Sequence, residues 1–483
     1  MSRLRLFVFA LLALASSGAS AVSLNGRGLG QVLVYPYYTV NKGQDTLLSV
    51  GNETDVGKAV VVRMLEGYNG REVLSFNLFL SPHDMWTASI SQISDDGAGA
   101  VKTSDKSCTD PAFPAAASVP LETFGFDGSG SVPADEGPQT ATRTREGSIE
   151  VIQLGDIDPT SELATATTHV LNGQPDGGVA PCGVTAAMED LGIVAPTGGL
   201  FGSASIVNVG EGTFIAYNAN ALQGFSDHAF SSTSDLLPTL QDANSSELPG
   251  GGAIAYMFDA DGRGLALSYA LGVDAVSAVF MADSIQNEYI AGGGLGANTD
   301  WVVTFPTKRF YVDDTLYSRA PADPFVEAFH APGESNVTVR PAIHDREEGR
   351  STYFDPPCGG CPGVPPSLLA YEVNVVSFQM TQGSVSGVFG SKLTSLDIPP
   401  FGDGYAALDL ASGDGSHALQ GGVDDQGVPV LLRGLPVAGF MAYNIINTNA
   451  QPGMLANYGG AFPHRTTFSC VGGQDCSTAP SGH

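Results

Sequence analysis

Two cysteines separated by two glycines, Cys358-Gly-Gly-Cys361, have the spacing of a redox dithiol. That chemistry needs the first thiol at a helix N-terminus, where backbone amides stabilise the thiolate. The Pro- and Gly-rich chain that follows does not start such a helix, and no second CxxC or histidine pair lies nearby to complete a zinc site. A loop-closing disulfide is the better reading. His344-Asp345-Arg346-Glu347-Glu348 gathers one metal-ligand type and three acids. Its spacing supplies no ligand framework, so a solvated turn is expected. Asp259-Ala-Asp261-Gly-Arg-Gly264 imitates the opening of a calcium loop. Arg263 stands at the fifth position, however, and Ala270 stands where the bidentate glutamate belongs.

Other patterns fall short in similar ways. GSVSG at 383–387 has Val385 where a nucleophile elbow needs serine. GGGLG at 292–296 lacks the spacing and the following helix of a dinucleotide fingerprint. Asp313 and Asp314 are acids of the kind that cleave glycosidic bonds in pairs, but an acid-rich chain offers many such neighbours. His83 and Trp86 follow a strand end, where an exposed indole would stack on a sugar ring; a tryptophan packed between two sheets is the stronger expectation. No catalytic, metal or cofactor residues follow from these patterns. Weak calcium binding at the surface is the one cation reading that the acidity suggests.

The elements that must carry these residues are strands. Between Gln31 and Ile90 the chain reads as Gln31–Val40, Thr46–Val50, Ala59–Leu65 and Val73–Leu80, separated by turn chemistry. Asn69-Gly70 is a strong hairpin signal, because both residues tolerate positive φ. Pro36 marks the first strand as an edge or a bulge. Its aromatic run, Tyr35, Tyr37 and Tyr38, is therefore the expected contact surface, with His83 and Trp86 the second. Residues 95–142 are rich in Gly, Ser, Pro, Ala and Asp and read as a long insertion. Strands resume at Gly147–Leu154, in a hairpin over Gly198–Asn218, and at Ala253–Phe258, Trp301–Val312, Asn336–Arg340, Leu369–Phe378 and Val428–Ile446. Helices are expected at Val184–Leu191 and, capped by Asp274, at Ala275–Met281, with Ser234-Asp235 capping a third short one. The fold class is mainly β: two antiparallel, immunoglobulin-like sandwiches with long loops and few short helices, spanning 22–249 and 250–483. Weak echoes between the halves (VVVR at 60–63 with VTVR at 337–340, FIAYN at 214–218 with FMAYN at 440–444) suggest related units.

Composition agrees with strands and turns: 61 Gly, 30 Pro and only 15% charged residues among 483. The net charge of −29 excludes nucleic acid and anionic membranes as natural partners. Residues 1–21 read as a signal peptide, with basic Arg3 and Arg5, an apolar run and the small-residue site Ala19-Ser20-Ala21. No later run is long and apolar enough to span a bilayer. Export to the periplasm, cell surface or medium is expected. Six cysteines suit that compartment. Cys358–Cys361 and Cys470–Cys476 are the natural local pairs, which leaves Cys108–Cys182.

Blocks such as LVYPYYTV, NLFLSPHDMWTASI, TREGSIEVIQLGDI, TDWVVTFPTKRFYVD and NYGGAFPHR resemble those of a family of uncharacterised exported proteins of Gram-negative bacteria. The resemblance implies an envelope or extracellular location and carries no activity. The function expected is a structural or adhesive role at the cell surface, through self-association or a surface partner at sheet edges. The alternative is a secreted carbohydrate-binding or carbohydrate-active protein. Export makes a direct prediction: N-terminal sequencing of protein from the producing cell should begin near Val22, and an intact Met1 on the mature protein would refute it.

Overall fold

A computed structural model describes residues 21–94, 97–114, 117–169, 182, 192–230, 238–248, 252–258, 262–292, 296–347, 349, 367–378, 385–398, 402–411, 417–447, 450–473 and 476. The chain is mainly β, with several antiparallel sheets and short helices. The expected sites at Cys358 and Cys361, Asp259 and Asp261, the 292–296 loop, Val184–Leu191 and Ser234-Asp235 lie wholly or largely outside the described residues, as do positions 383 and 384 of the 383–387 loop. No helix of the described residues is long and apolar enough to cross a membrane.

An eight-stranded sheet is built around Val32–Thr39, Glu146–Ile157 and Gly57–Glu66, which lie side by side at its centre. These three strands are buried along their whole length. Burial on both faces explains why VVVRML shows no alternation of apolar with polar residues. On one face Leu33, Tyr35, Val60, Val62, Met64, Ile149 and Val151 share a hydrophobic cluster with Leu48, Val50, Trp86, Ile90, Ile206 and Ile215 of a six-stranded sheet. On the other face Val32, Val34, Ala59, Val61 and Leu154 join a cluster with Val276, Trp301, Val303 and Phe310 of the second half.

The division of the chain near residue 249 is therefore a division of strand pairing and not of core. Among the described residues every strand ladder stays within its own half. An isolated parallel bridge from Val22 to Ala255 crosses, with the Val22 amide donating to the Ile254 carbonyl at 2.7 Å. Both hydrophobic clusters, by contrast, contain residues of both halves. The echoed segments fall on unlike strands: Thr213–Asn218 is an edge, whereas Ala438–Ile445 is paired on both sides. The two nevertheless meet, Tyr217 stacking on Phe440 with ring centroids 4.4 Å apart.

Several expectations are corrected. Tyr35, Tyr37, Tyr38 and Trp86 form no contact surface, because all four are fully buried. The tyrosine-bearing strand is central, and Pro36 sits where the register with Gly147–Ile149 slips, so the bulge and not the edge accommodates its missing donor. His83 alone of that group is exposed, in a left-handed turn (φ 58°) with its ring on Asp55. Trp301–Val312 is not one strand. The ladder runs over Ala297–Thr304, and after Pro306 the chain turns into the short helix Arg309–Val312. The other helix runs over Gly272–Phe280 with Leu271 as its cap; Asp274 instead accepts hydrogen bonds from Tyr311 and Arg319. The 95–142 insertion contributes strands Gly99–Lys102 and Cys108–Asp110 to the two sheets. Cys108–Cys182 and Cys470–Cys476 are disulfide-bonded.

Trp86 gives the quantitative test of this core. Trp86→Ala should cost about 3–5 kcal/mol in denaturant unfolding, the range for truncating a large buried aromatic. A cost near zero would return Trp86 to the surface.

Candidate functional site

Three strands of a five-stranded sheet in the second half carry a surface cleft. SIQNEYI (Ser284–Ile290) alternates cleanly: Ile285, Asn287 and Tyr289 are buried, while Gln286 and Glu288 are exposed. Asp403–Asp409 buries Ala406 and Leu408 and exposes Tyr405. Val337–Asp345 buries Val339 and Ile343 and turns Arg340 and His344 to the other face. The register then sets His344, Tyr405 and Glu288 in one row across the three strands. The neighbouring row, Ala342, Ala407, Gln286 and Arg465, is low where the alanines lie.

The result is a groove of about 970 Å³ whose lining includes Gln286, Glu288, His344, Arg346, Tyr405 and Arg465. The His344 and Tyr405 rings stack with centroids 4.6 Å apart and planes 8° from parallel. Arg465 donates to both oxygens of Glu288, at 2.9 and 3.1 Å. Arg346 lies 3.2 Å from Asp403. Asp345 accepts the backbone N–H groups of Glu347 and Gly349, which shapes the turn at one end. Beneath the row, Trp301 donates its indole N–H to the Glu288 carbonyl at 3.3 Å and packs on Phe378 and His464. Burial pulls the His464 imidazole down to about 4, so it stays neutral in this floor. Hydrogen bonds from Arg465 hold the Glu288 carboxyl below the usual glutamate range. It is a fixed acceptor at neutral pH, unsuited to donating a proton.

The structure thus brings together part of one segment singled out in the sequence, His344-Asp345-Arg346, and gives its members separate tasks: stacking, turn closure and ion pairing. Among the described residues no group of three His, Cys, Asp or Glu side chains is placed to hold a metal ion. Tyr405, Glu288 and Arg465 were missed. Alternation in SIQNEYI and in GYAALD marks their outward faces, but nothing in sequence tells which strands lie side by side.

A second, smaller cavity of about 360 Å³ lies at the junction of the halves, lined by Asp135, Glu136, Asp313, Asp314, Thr315 and His330 among others. Asp313 and Asp314 are not a facing pair. Asp313 is buried and receives two hydrogen bonds from Arg71 at 2.6 and 3.1 Å, whereas Asp314 is exposed. Arg143 alongside is held by Glu66 at 2.7 Å and Asp135 at 2.6 Å. The cavity opens onto a buried ionic network that joins the halves. Arg309 donates to Glu150 of the first half at 2.7 Å and to Glu372 of the second at 3.0 Å. The Asn69-Gly70 hairpin is pressed against this network. Gly70 has φ 62°, and a Cβ there would lie 2.3 Å from the Glu372 carboxyl oxygens, so only glycine fits.

Burial, outweighing the attraction of Arg309, pushes the Glu372 carboxyl up to about 8. Burial likewise pulls the neighbouring Lys308 ammonium down to about 7. The two shifts act in opposite directions on stability. Glu372 holds its proton more tightly when folded, so its contribution is complete below the ordinary glutamate range and is lost as pH rises through about 8. Lys308 favours the neutral amine when folded, so its contribution is complete above the ordinary lysine range and is lost as pH falls through about 7. Glu372→Gln should therefore flatten the fall in stability between about pH 5 and 8 in urea titrations; an unchanged pH slope would contradict the assignment. Arg309→Ala, which leaves the buried Glu150 and Glu372 side chains without their shared partner, should cost about 3–5 kcal/mol at pH 7 by the same measurement. No family model, curated protein or solved structure matches the chain, so the reading of the groove rests on its geometry.

Proposed function

We propose that this is an exported binding protein of the cell surface or extracellular space, structural or adhesive in role, which engages its partner in the His344–Tyr405 groove. The observation that carries the reading is the groove's construction. Its aromatic pair is fixed by stacking, and Glu288 and Asp403 are paired with arginines. Such a site holds a ligand through shape and hydrogen bonds, and Glu288, ionised against Arg465, is not poised as the general acid that glycoside hydrolysis requires. The disulfides and the leader-like N-terminus support export. The shared core supports a rigid body on which the groove keeps its shape under load.

On architecture, the proposal is two antiparallel sandwiches. Face-to-face packing of the eight- and six-stranded sheets supports it, although those sheets are wider than an immunoglobulin-like pair of about seven to nine strands in total. Self-association at sheet edges belongs to edges other than the tyrosine-bearing strand. The secreted carbohydrate-binding alternative is favoured by one specific observation, the exposed Tyr405 ring.

Fractionation of the producing cell tests the reading. The protein should appear in the envelope or the medium, and a groove variant, Tyr405→Ala with Arg465→Ala, should be exported and folded but lose attachment to its surface or matrix. Wild-type retention in the cytoplasm, or undiminished attachment of the variant, would overturn it.

A further inference from the structure

We propose that the groove binds a pyranose unit of an uncharged polysaccharide, with the sugar ring resting on Tyr405 and its hydroxyls held by the Arg465–Glu288 and Arg346–Asp403 pairs; this rests on the reading of the protein as a binding protein. Tyr405 is 46% exposed although one face of its ring is covered by His344. The stack fixes the ring, and its exposed part borders the groove, where a ligand can reach it. A pyranose presents a face of C–H bonds that matches such a ring, and hydroxyls at its rim. A lipid or apolar peptide would leave the charged lining without partners, at high desolvation cost.

The flanking pairs match that rim. Glu288 stands beside Tyr405 on the adjacent strand, and Asp403 is the next outward residue of Tyr405's own strand. Each carboxylate is joined to a guanidinium that retains free N–H groups: Arg465 spends its two terminal nitrogens on Glu288, and Arg346 approaches Asp403 through Nε. Donor and acceptor thus lie next to each other on two sides of the ring. That arrangement suits neighbouring hydroxyls, which donate and accept together. The alanine floor of Ala342 and Ala407 gives room for the ring to approach.

Charge selects among glycans. In the groove three carboxylates, Glu288, Asp345 and Asp403, outnumber the two guanidiniums. The whole chain carries −29. Uronate or sulfated polymers meet a like-signed field, whereas neutral ones do not. The ligand class is therefore a neutral polysaccharide.

The test uses the mature chain on an array of neutral glycans (α- and β-glucans, mannans, xylans, galactans) beside polygalacturonate and alginate. Calorimetry then follows with the neutral hexasaccharide that binds best and with hexagalacturonate. Binding to a neutral glycan, weakened about tenfold or more by Tyr405→Ala and by Arg465→Ala but kept within about threefold by Tyr405→Phe, is the expected result. Phe258→Ala, an exposed aromatic on another sheet, should leave the affinity unchanged. No binding to any neutral glycan, tighter binding to the acidic ones, or an unaffected Tyr405→Ala would overturn the assignment. If the protein fractionates with the envelope yet ignores neutral glycans, the ligand class falls and the binding-protein reading stands. If it is retained in the cytoplasm, the reading beneath it falls as well.

Discussion

Arg309 is the point on which the two halves depend. A guanidinium withdrawn from water costs several kcal/mol unless hydrogen-bonded anions replace the solvent. Here the carboxyl oxygens that take the place of solvent come from both sides of the junction, Glu150 from the central strand of the eight-stranded sheet and Glu372, which burial keeps protonated at neutral pH, from the second half. Asp313 reaches back in the same way to Arg71. Such pairs add little net stability against a well-packed apolar alternative, but they tolerate only one alignment of the halves. Apolar packing on either side supplies the free energy, and the charges supply the register.

The same economy shapes the surface. Lys58, Arg63, Arg71, Arg143, Arg145, Lys308 and Arg309 are all buried, seven of only 21 bases in the chain. The exterior is consequently more acidic than composition alone suggests. Two of the exposed arginines, Arg346 and Arg465, stand in one groove with 67% and 59% of their side-chain surfaces accessible. Each stands beside a carboxylate of the groove, Arg346 by Asp403 and Arg465 by Glu288.

Rigidity links core to groove. The Glu288 carbonyl receives the indole of Trp301, and Trp301 lies in the strand whose neighbour Thr304 donates to the Pro36 carbonyl at 2.6 Å. A continuous set of buried contacts therefore runs from the groove floor to the tyrosine-bearing strand. That strand matters as foundation. Its aromatics hold the sheets together from inside, with Tyr35 and Tyr38 donating to the carbonyls of Ser49 and Thr144.

Local signals settled what is local. β-branched runs, the Asn69-Gly70 turn and cysteine spacing placed strands, the hairpin and the Cys470–Cys476 disulfide, because each depends on neighbours a few residues away, whereas Cys108–Cys182, 74 residues apart, followed only as the remaining pair. Which strands are central was beyond them: a tyrosine-rich strand with a proline reads as an edge, and only the bulge opposite Gly147–Ile149 shows how the centre of a sheet accommodates it. The buried ion pairs escaped notice for a related reason. Arg309 is separated from Glu150 by 159 residues, and a charged residue in sequence looks exposed until its partner closes over it. The groove was half visible. His344 to Arg346 stood out by composition, but Tyr405 and Glu288 join them through strand register alone. Composition and short-range pattern determined the strand content and the acidity; tertiary structure decided which aromatics face water, because burial is a property of the surface that another part of the chain brings to them.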